Sequence, residues 1–546
     1  MSWQSSLVKM GHWQTKVPDS AQLLWARSRP ALSYFESSNH VLRTLTWSTF
    51  FLSVLSVFLG TIAWTSWRQW TTRQRLVPGI PVIGGSSKRD RLKNRERFRH
   101  DSKQMLTEGY LATNGGFFYV PSPLGERLMI PVQYLEDLKT APIDRVDFVG
   151  TFIEMFEGKH TTFGSRSTLH PRTVKAELNQ HLAEVMLSVQ DEIHDTVQDI
   201  FPPCDDWTEV HIVDLITEVV ARVSSRMFGG TTLSRNKDWV KASIAFAIDG
   251  YFGAQKLKKL PEFLKPLGAR VIREVRNLGN YYKEAEKVAI PMLEERERTG
   301  EPAFDLLYWM QQAAVGEETD HKFIAGILLK ISFAAIHTTA SAAVQLLLDL
   351  CTYPELVPMV RDEYASVLAH SNDGEGRISR QGLMKMHVLD SIMKESQRFN
   401  PLLLVTFERI ITEDWKLSDG FVIPAHTTIG VPAQAISMDP NLFPDPERFD
   451  GLRFAKIRNA TTDPAVKGKA QFVAAHPQSM AFGYGRHACP GRFFAGDEIK
   501  AITAYLVKHY DMKFPEGQGR PASMEVETQY LPSHSATVLF KRRAVQ

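Results

Sequence analysis

One cysteine-bearing stretch, Ala481-Phe-Gly-Tyr-Gly-Arg-His-Ala-Cys-Pro-Gly-Arg-Phe-Phe494, constrains the fold more than any other part of the chain. Glycines on both sides of Cys489 permit a tight loop, and Arg492-Phe-Phe-Ala then reads as the entry to a helix. The chain has three cysteines, and Cys204, Cys351 and Cys489 are too widely spaced for a disulfide framework or a metal cluster. Cys489 therefore acts, if at all, as a single thiol, while Cys204 and Cys351 read as inert buried ones.

Thr44 to Trp67 carries no charge, with Arg43 before it and Arg68, Arg73 and Arg75 after it. At about 1.5 Å per residue, such a helix spans a hydrocarbon core of about 30 Å, and Trp47, Trp64 and Trp67 suit its interfaces. Basic residues on the C-terminal side predict a cytosolic body and a single-pass anchor. The segment begins late and ends in arginines, which argues against a cleaved leader. The expected organisation is a cytosol-distal segment at 1–43, an anchor at 44–67, a basic and Pro/Gly hinge at 68–100 and a catalytic domain at 101–546. Lys88 to His100 reads either as a headgroup-facing patch or as a solvated helix face. A net charge of +3 over 546 residues offers no case for nucleic-acid binding.

Apolar periodicity beyond residue 101 predicts helices at Leu178–Ile200, Val210–Met227, Trp239–Phe246 and Ala269–Arg298. Strand-like runs fall at Gly116–Pro121, Leu128–Pro131, Leu402–Phe407 and Thr537–Phe540. The fold class is mainly α with small β-sheets. A long helix capped by Thr319 or Asp320 should run to about Leu350, carrying Ile331-Ser-Phe-Ala-Ala-Ile-His-Thr-Thr339. Residues at i and i+4 share a face, so Ala334 lies beside Thr338. That segment suits core packing or close approach to a flat cofactor. In Lys394-Glu-Ser-Gln-Arg398, Glu395 and Arg398 form either an exposed pair or part of a buried network.

Taken together, these motifs resemble the cytochrome P450 family, in family order from about residue 76 onward. Phe482, Gly483, Gly485, Cys489 and Gly491 match its cysteine-ligand loop, and Glu395 with Arg398 matches its ExxR pair. Phe443-Pro-Asp-Pro-Glu-Arg-Phe449 resembles the segment whose arginine, here Arg448, completes the buried network. Pro78-Gly-Ile-Pro81 resembles the hinge after the anchor. The resemblance implies haem b with Cys489 as the axial thiolate ligand to iron, stabilised by nearby N–H groups and positive side chains. It makes Phe482, Gly483, Gly491 and Ala334 cofactor contacts and Thr338 the threonine that orders oxygen and water. His337 stands where the family carries an acid; it either relays protons or hydrogen-bonds within the helix. Arg409 matches a haem-propionate contact, Arg486 or His487 reaches another, and Arg172 and Lys175 are further partners.

Closer still is the resemblance to fungal ent-kaurene-oxidase-like P450s of terpenoid secondary metabolism. It implies a monooxygenase acting on a bulky apolar terpenoid, indole diterpene or meroterpenoid. Alternative outcomes are desaturation, ring rearrangement or multistep oxidation, and a contrasting reading is a noncatalytic membrane haem or lipid-binding protein. Too few residues follow the cysteine loop for a flavin domain, so NADPH is expected to act through NADPH-cytochrome P450 reductase, with cytochrome b5 as an optional second donor. The implied location is the endoplasmic reticulum membrane. The pocket should draw on Val146–Phe163, Phe246–Phe263, Pro401–Thr406 and Leu531–His534, with Thr406, Ser533 or His534 orienting a substrate oxygen.

Overall fold

The computed structural model describes residues 47–65, 67, 74–164, 166–371 and 374–544. The expected segment 1–43, the anchor's first residues 44–46, and its flanking Arg43, Arg68 and Arg73 lie outside the described residues. The chain divides into two units. In the first, Trp47–Thr65 is a helix of 19 residues with mean hydropathy 1.6, none of it buried. It is long and apolar enough to cross a membrane.

The second unit is the mainly helical body. Its Pro/Gly entry is fastened to a sheet: Tyr119 N donates to Pro81 O at 2.8 Å and Ile83 N to Tyr119 O at 2.9 Å. Gly79, Gly84 and Gly85 all take positive φ there, and a side chain at Gly84 would collide with Asn94. The basic run that follows folds into the helix Lys88–Arg97, where Arg95 pairs with Glu126 at 2.8 Å.

A five-stranded sheet runs Phe118–Ser122, Gly125–Met129, Thr427–Val431, Thr406–Ile411, Val146–Asp147 in spatial order. A three-stranded sheet pairs Thr537–Arg542 with both Thr208–His211 and Tyr510–Lys513. A short hairpin, Met524–Val526 with Gln529–Leu531, is tied to the segment after the ExxR helix by Leu404 N to Thr528 O at 2.8 Å.

The helical part is built around His321–Thr352, capped as expected by Asp320, whose carboxylate accepts from Lys322 N at 3.0 Å. Ile324, Leu328, Leu347 and Leu348 are sealed in the core, which marks this apolar helix as the body's axis. Ile212–Ser234, Lys237–Lys258 and Arg273–Thr299 pack against it, and Leu182–Ile200 packs on Ile212–Ser234. Lys237–Lys258 runs well past Phe246, the end expected from periodicity. Small residues at Ala247, Gly250, Gly253 and Ala254 continue its buried face without a strong hydropathy signal. A Cβ on Gly250 would overlap the Phe163 ring, so that face exists for close packing. Phe246 belongs to the same seam, stacked on Phe163 at 4.6 Å, and serves the core instead of lining a pocket.

Candidate active site

Gly483 and Gly485 both lie in the left-handed region, with φ of 71° and 72°, a conformation glycine adopts without a Cβ penalty. A Cβ at Gly485 would stand 2.6 Å from Lys139 Cβ, so the loop also passes too close for any side chain. The turn closes with Cys489 N donating to Phe482 O at 2.8 Å, and Phe482 packs edge-on against Phe472. Gly491 is the N-cap of the helix Arg492–His509, which places Cys489 at the positive end of its dipole. Burial pushes the Cys489 thiol up, while N–H groups of Gly491 and Arg492 and the Arg492 charge pull it down. The thiol is thus partly desolvated yet surrounded by groups that favour its anion.

Basic residues collect beside this loop. Phe148 has the His487 ring stacked on it at 5.0 Å and the Arg409 guanidinium 4.6 Å from its centroid. Arg409 is aimed there by a bulge in its strand, where Phe407 takes a φ of 55°. It is buried with only one hydrogen bond among the described residues, to Glu408 O, and burial lowers its pKa to about 10. His487 is held down to about 4 by burial and by the charges of Arg409, Lys175 and Arg486, and its Nε2 is buried without a partner among the described residues. Lys175 Nζ donates to Arg486 O at 3.1 Å. A buried guanidinium and an orphaned ring nitrogen beside a thiol, with Lys175 and Arg486 at the exposed edge, match the needs of a cofactor bearing carboxylates. An open space at Gly491, where an added Cβ meets nothing within 4 Å, is consistent with a flat group there.

Arg172 does not join this cluster. Its guanidinium binds Glu318 and donates to Ala313 O at 2.6 Å, so it braces the turn before the central helix. The expected place of Arg172 beside the cysteine loop is corrected accordingly: its guanidinium is taken up by Glu318, 146 residues away in sequence.

On the central helix, Ala334 and Thr338 are exposed although they sit midway along the core of the body. Thr338 Oγ1 donates to Ala334 O at 2.7 Å, leaving its lone pairs toward the open side. His337 turns elsewhere. Its Nε2 lies 3.0 Å from Ile244 O of the helix Lys237–Lys258, and burial lowers its pKa. A neutral ring donating from Nε2 to that carbonyl braces the two helices.

The ExxR helix, His387–Phe399, buries Glu395 completely. Arg398 grips it bidentately at 2.9 and 2.8 Å and also donates to Ser437 O and Pro446 O. The expected third member is corrected: Arg453, not Arg448, reaches both Glu395 oxygens at 3.2 Å. Arg448 is exposed and contributes only its carbonyl, which accepts from Arg453 at 2.9 Å. The one cue to Arg453 in the sequence is its place between Leu452 and Phe454, a charge inside an apolar run. Of the pocket residues expected to orient a substrate, Thr406 has a buried, unpartnered Oγ1, whereas the His534 side chain is 71% exposed and 3.9 Å from Asp214.

A half-buried thiol at a helix start, a glycine-cornered loop and a cationic flank define a haem-thiolate protein. Residues 134–540 match the family model for cytochrome P450, and the chain belongs to the cytochrome P450 family. It is 34% identical to the cytochrome P450 monooxygenase braC of Annulohypoxylon truncatum, across 85% of this chain and 92% of that protein. It is 32% identical to ent-kaurene oxidase P450-4 of Gibberella fujikuroi, across 83% of this chain and 90% of that protein. The cytochrome P450 monooxygenase olcJ of Penicillium canescens is 33% identical, across 82% and 85%. The chain is a P450 monooxygenase with relatives in fungal secondary metabolism.

Proposed function

We propose that the chain oxidises a bulky apolar terpenoid, indole diterpene or meroterpenoid with dioxygen. Electrons come from NADPH through a separate reductase, with cytochrome b5 as an optional second donor. The site is at the endoplasmic reticulum membrane, the body facing the cytosol. The observation that carries this reading is the open, small-residue ridge of the central helix, where Ala334 leaves room and Thr338 turns a hydroxyl toward accessible space in an otherwise sealed core.

Haem b held by a cysteine thiolate supplies dioxygen activation when bound. Cys489 is its ligand, with the Gly491 and Arg492 N–H groups steadying the thiolate charge. Arg409, His487, Lys175 and Arg486 are its carboxylate partners, and Phe482, Gly483 and Gly491 form the cradle. Thr338 Oγ1 accepts a hydrogen bond from water on the open side and holds it in place for proton delivery. His337, committed to Ile244 O, sets the spacing of the helix above. Because no carboxylate stands at that position, desaturation, ring rearrangement or serial oxidation is a second outcome of the same site. Product isolated after turnover under isotopically labelled dioxygen tests both. One labelled atom in the product supports hydroxylation, whereas an unlabelled, dehydrogenated product selects desaturation. Cys489→Ser should abolish the thiolate-type carbon-monoxide spectrum, and its survival in a folded variant would sink the ligand assignment.

A further inference from the structure

Lys330 is the only lysine, arginine or acidic residue in the central helix between Lys322 and Asp349. It stands four residues before Ala334 and eight before Thr338, on the i, i+4 ridge that those two residues open. Along that ridge Lys330, Ala334, Thr338 and Ala342 all retain accessible surface, while Ile327, Leu328, Leu329, Ser332 and Ile336 are buried. The Lys330 ammonium has no hydrogen-bond or ion-pair partner among the described residues. Burial alone lowers its pKa, with no carboxylate contributing.

Its charge is felt by His170, at the start of the helix Leu169–Thr173, which burial and Lys330 hold down to about 4. That ring stays neutral, and its Nδ1 is buried without a partner among the described residues. The one other basic side chain from that turn, Arg172, is spent on Glu318 and Ala313 O. An uncompensated ammonium in a mostly buried place costs free energy until an anion joins it. The described residues supply no such anion. The haem's carboxylates already have Arg409, Lys175, Arg486 and His487 gathered beside the cysteine loop.

We infer that Lys330 binds a carboxylate carried by the substrate, anchoring one end of an apolar molecule along the open ridge that leads to Thr338. This rests on the reading that the ridge faces the substrate. Eight residues of helix rise separate the two positions, so the oxidised carbon lies about 12 Å from the carboxylate. That is the length of a fused-ring terpenoid acid, and it narrows the substrate class from apolar to amphipathic. The charge also acts as a selector, since a wholly hydrocarbon substrate would leave the ammonium unpaired.

Two probe series test this without knowing the natural substrate: 1-alkylimidazoles, and imidazol-1-yl-alkanoic acids of matched chain length. Each is titrated into the haem-loaded full chain and read by the shift in haem absorption. The expected result is a window of chain lengths in which the acid binds at least about tenfold tighter than its alkyl partner, about 1.4 kcal/mol. Lys330→Met should erase that preference while leaving alkyl binding within about twofold, and Lys330→Arg should keep most of it. No acid preference at any length, or one that survives Lys330→Met, overturns the inference. So does a Lys330→Met variant that loses haem affinity with its acid preference intact, because the lysine then serves a haem propionate. Failure of imidazole itself to shift the spectrum, with no thiolate-type carbon-monoxide spectrum, overturns the haem reading beneath it instead.

Discussion

Replacing Arg453 separates the network seen in the structure from the one its motif suggests. Arg453→Ala removes two hydrogen bonds to Glu395 and three to the carbonyls of Pro444, Asp445 and Arg448. Glu395 keeps Arg398 and the Asp450 N–H, so it is not left as a lone buried charge. The loss therefore falls at the lower end of the range for a broken buried pair, about 3 kcal/mol. Arg448→Ala exposes nothing and cuts no side-chain bond, which puts it within about 0.5 kcal/mol of the parent. For a body of roughly 470 residues, an unfolding entropy of about 2.1 cal/mol/K per residue makes about 3 kcal/mol equal to a drop of about 3 °C. Loss of the thiolate-type carbon-monoxide spectrum during matched heating scans gives the comparison, at one scan rate because unfolding of large proteins is rarely reversible. Equal midpoints for the two variants, or a larger drop for Arg448→Ala, would refute the assignment of Arg453 to the network.

Thr338→Ala should leave haem bound but raise peroxide released per NADPH consumed, while His337→Ala should leave that ratio unchanged from about pH 6 to 8; a pH-dependent rise in the second variant would put the imidazole in the proton path. Lys394 Nζ donates to Lys469 O and Gln471 O, and burial brings its pKa down from 10.5 to about 7. Its folded pKa is the lower one, so the unfolded chain binds more protons between about pH 7 and 10.5, and stability rises with pH across that window. Lys394→Met should flatten the rise in a urea titration series, and an unchanged slope counts against it. The chain should resist alkaline extraction from microsomes while its body is cut by added protease; release or full protection would contradict the anchored, cytosol-facing arrangement.

Short-range pattern determined much of this protein. The cysteine loop is legible because its glycines, thiol and helix start act on one another within about ten residues, where local conformation follows from residue type. Asp320 as a cap and the shared face of Ala334 and Thr338 are legible for the same reason: 3.6 residues per turn sets both. Partners across the fold were not. Arg448 and Arg453 lie five residues apart in one segment, and only the packing of that segment after Pro444 against the ExxR helix selects Arg453 over Arg448 for Glu395. Arg172 goes to Glu318, and His337 goes to a carbonyl of a neighbouring helix. Long polar side chains can reach in many directions, and which acceptor each meets depends on how whole elements dock. Docking is decided by burial of apolar faces such as the Gly250–Phe163 seam, and the polar contacts then form wherever that packing brings donor to acceptor.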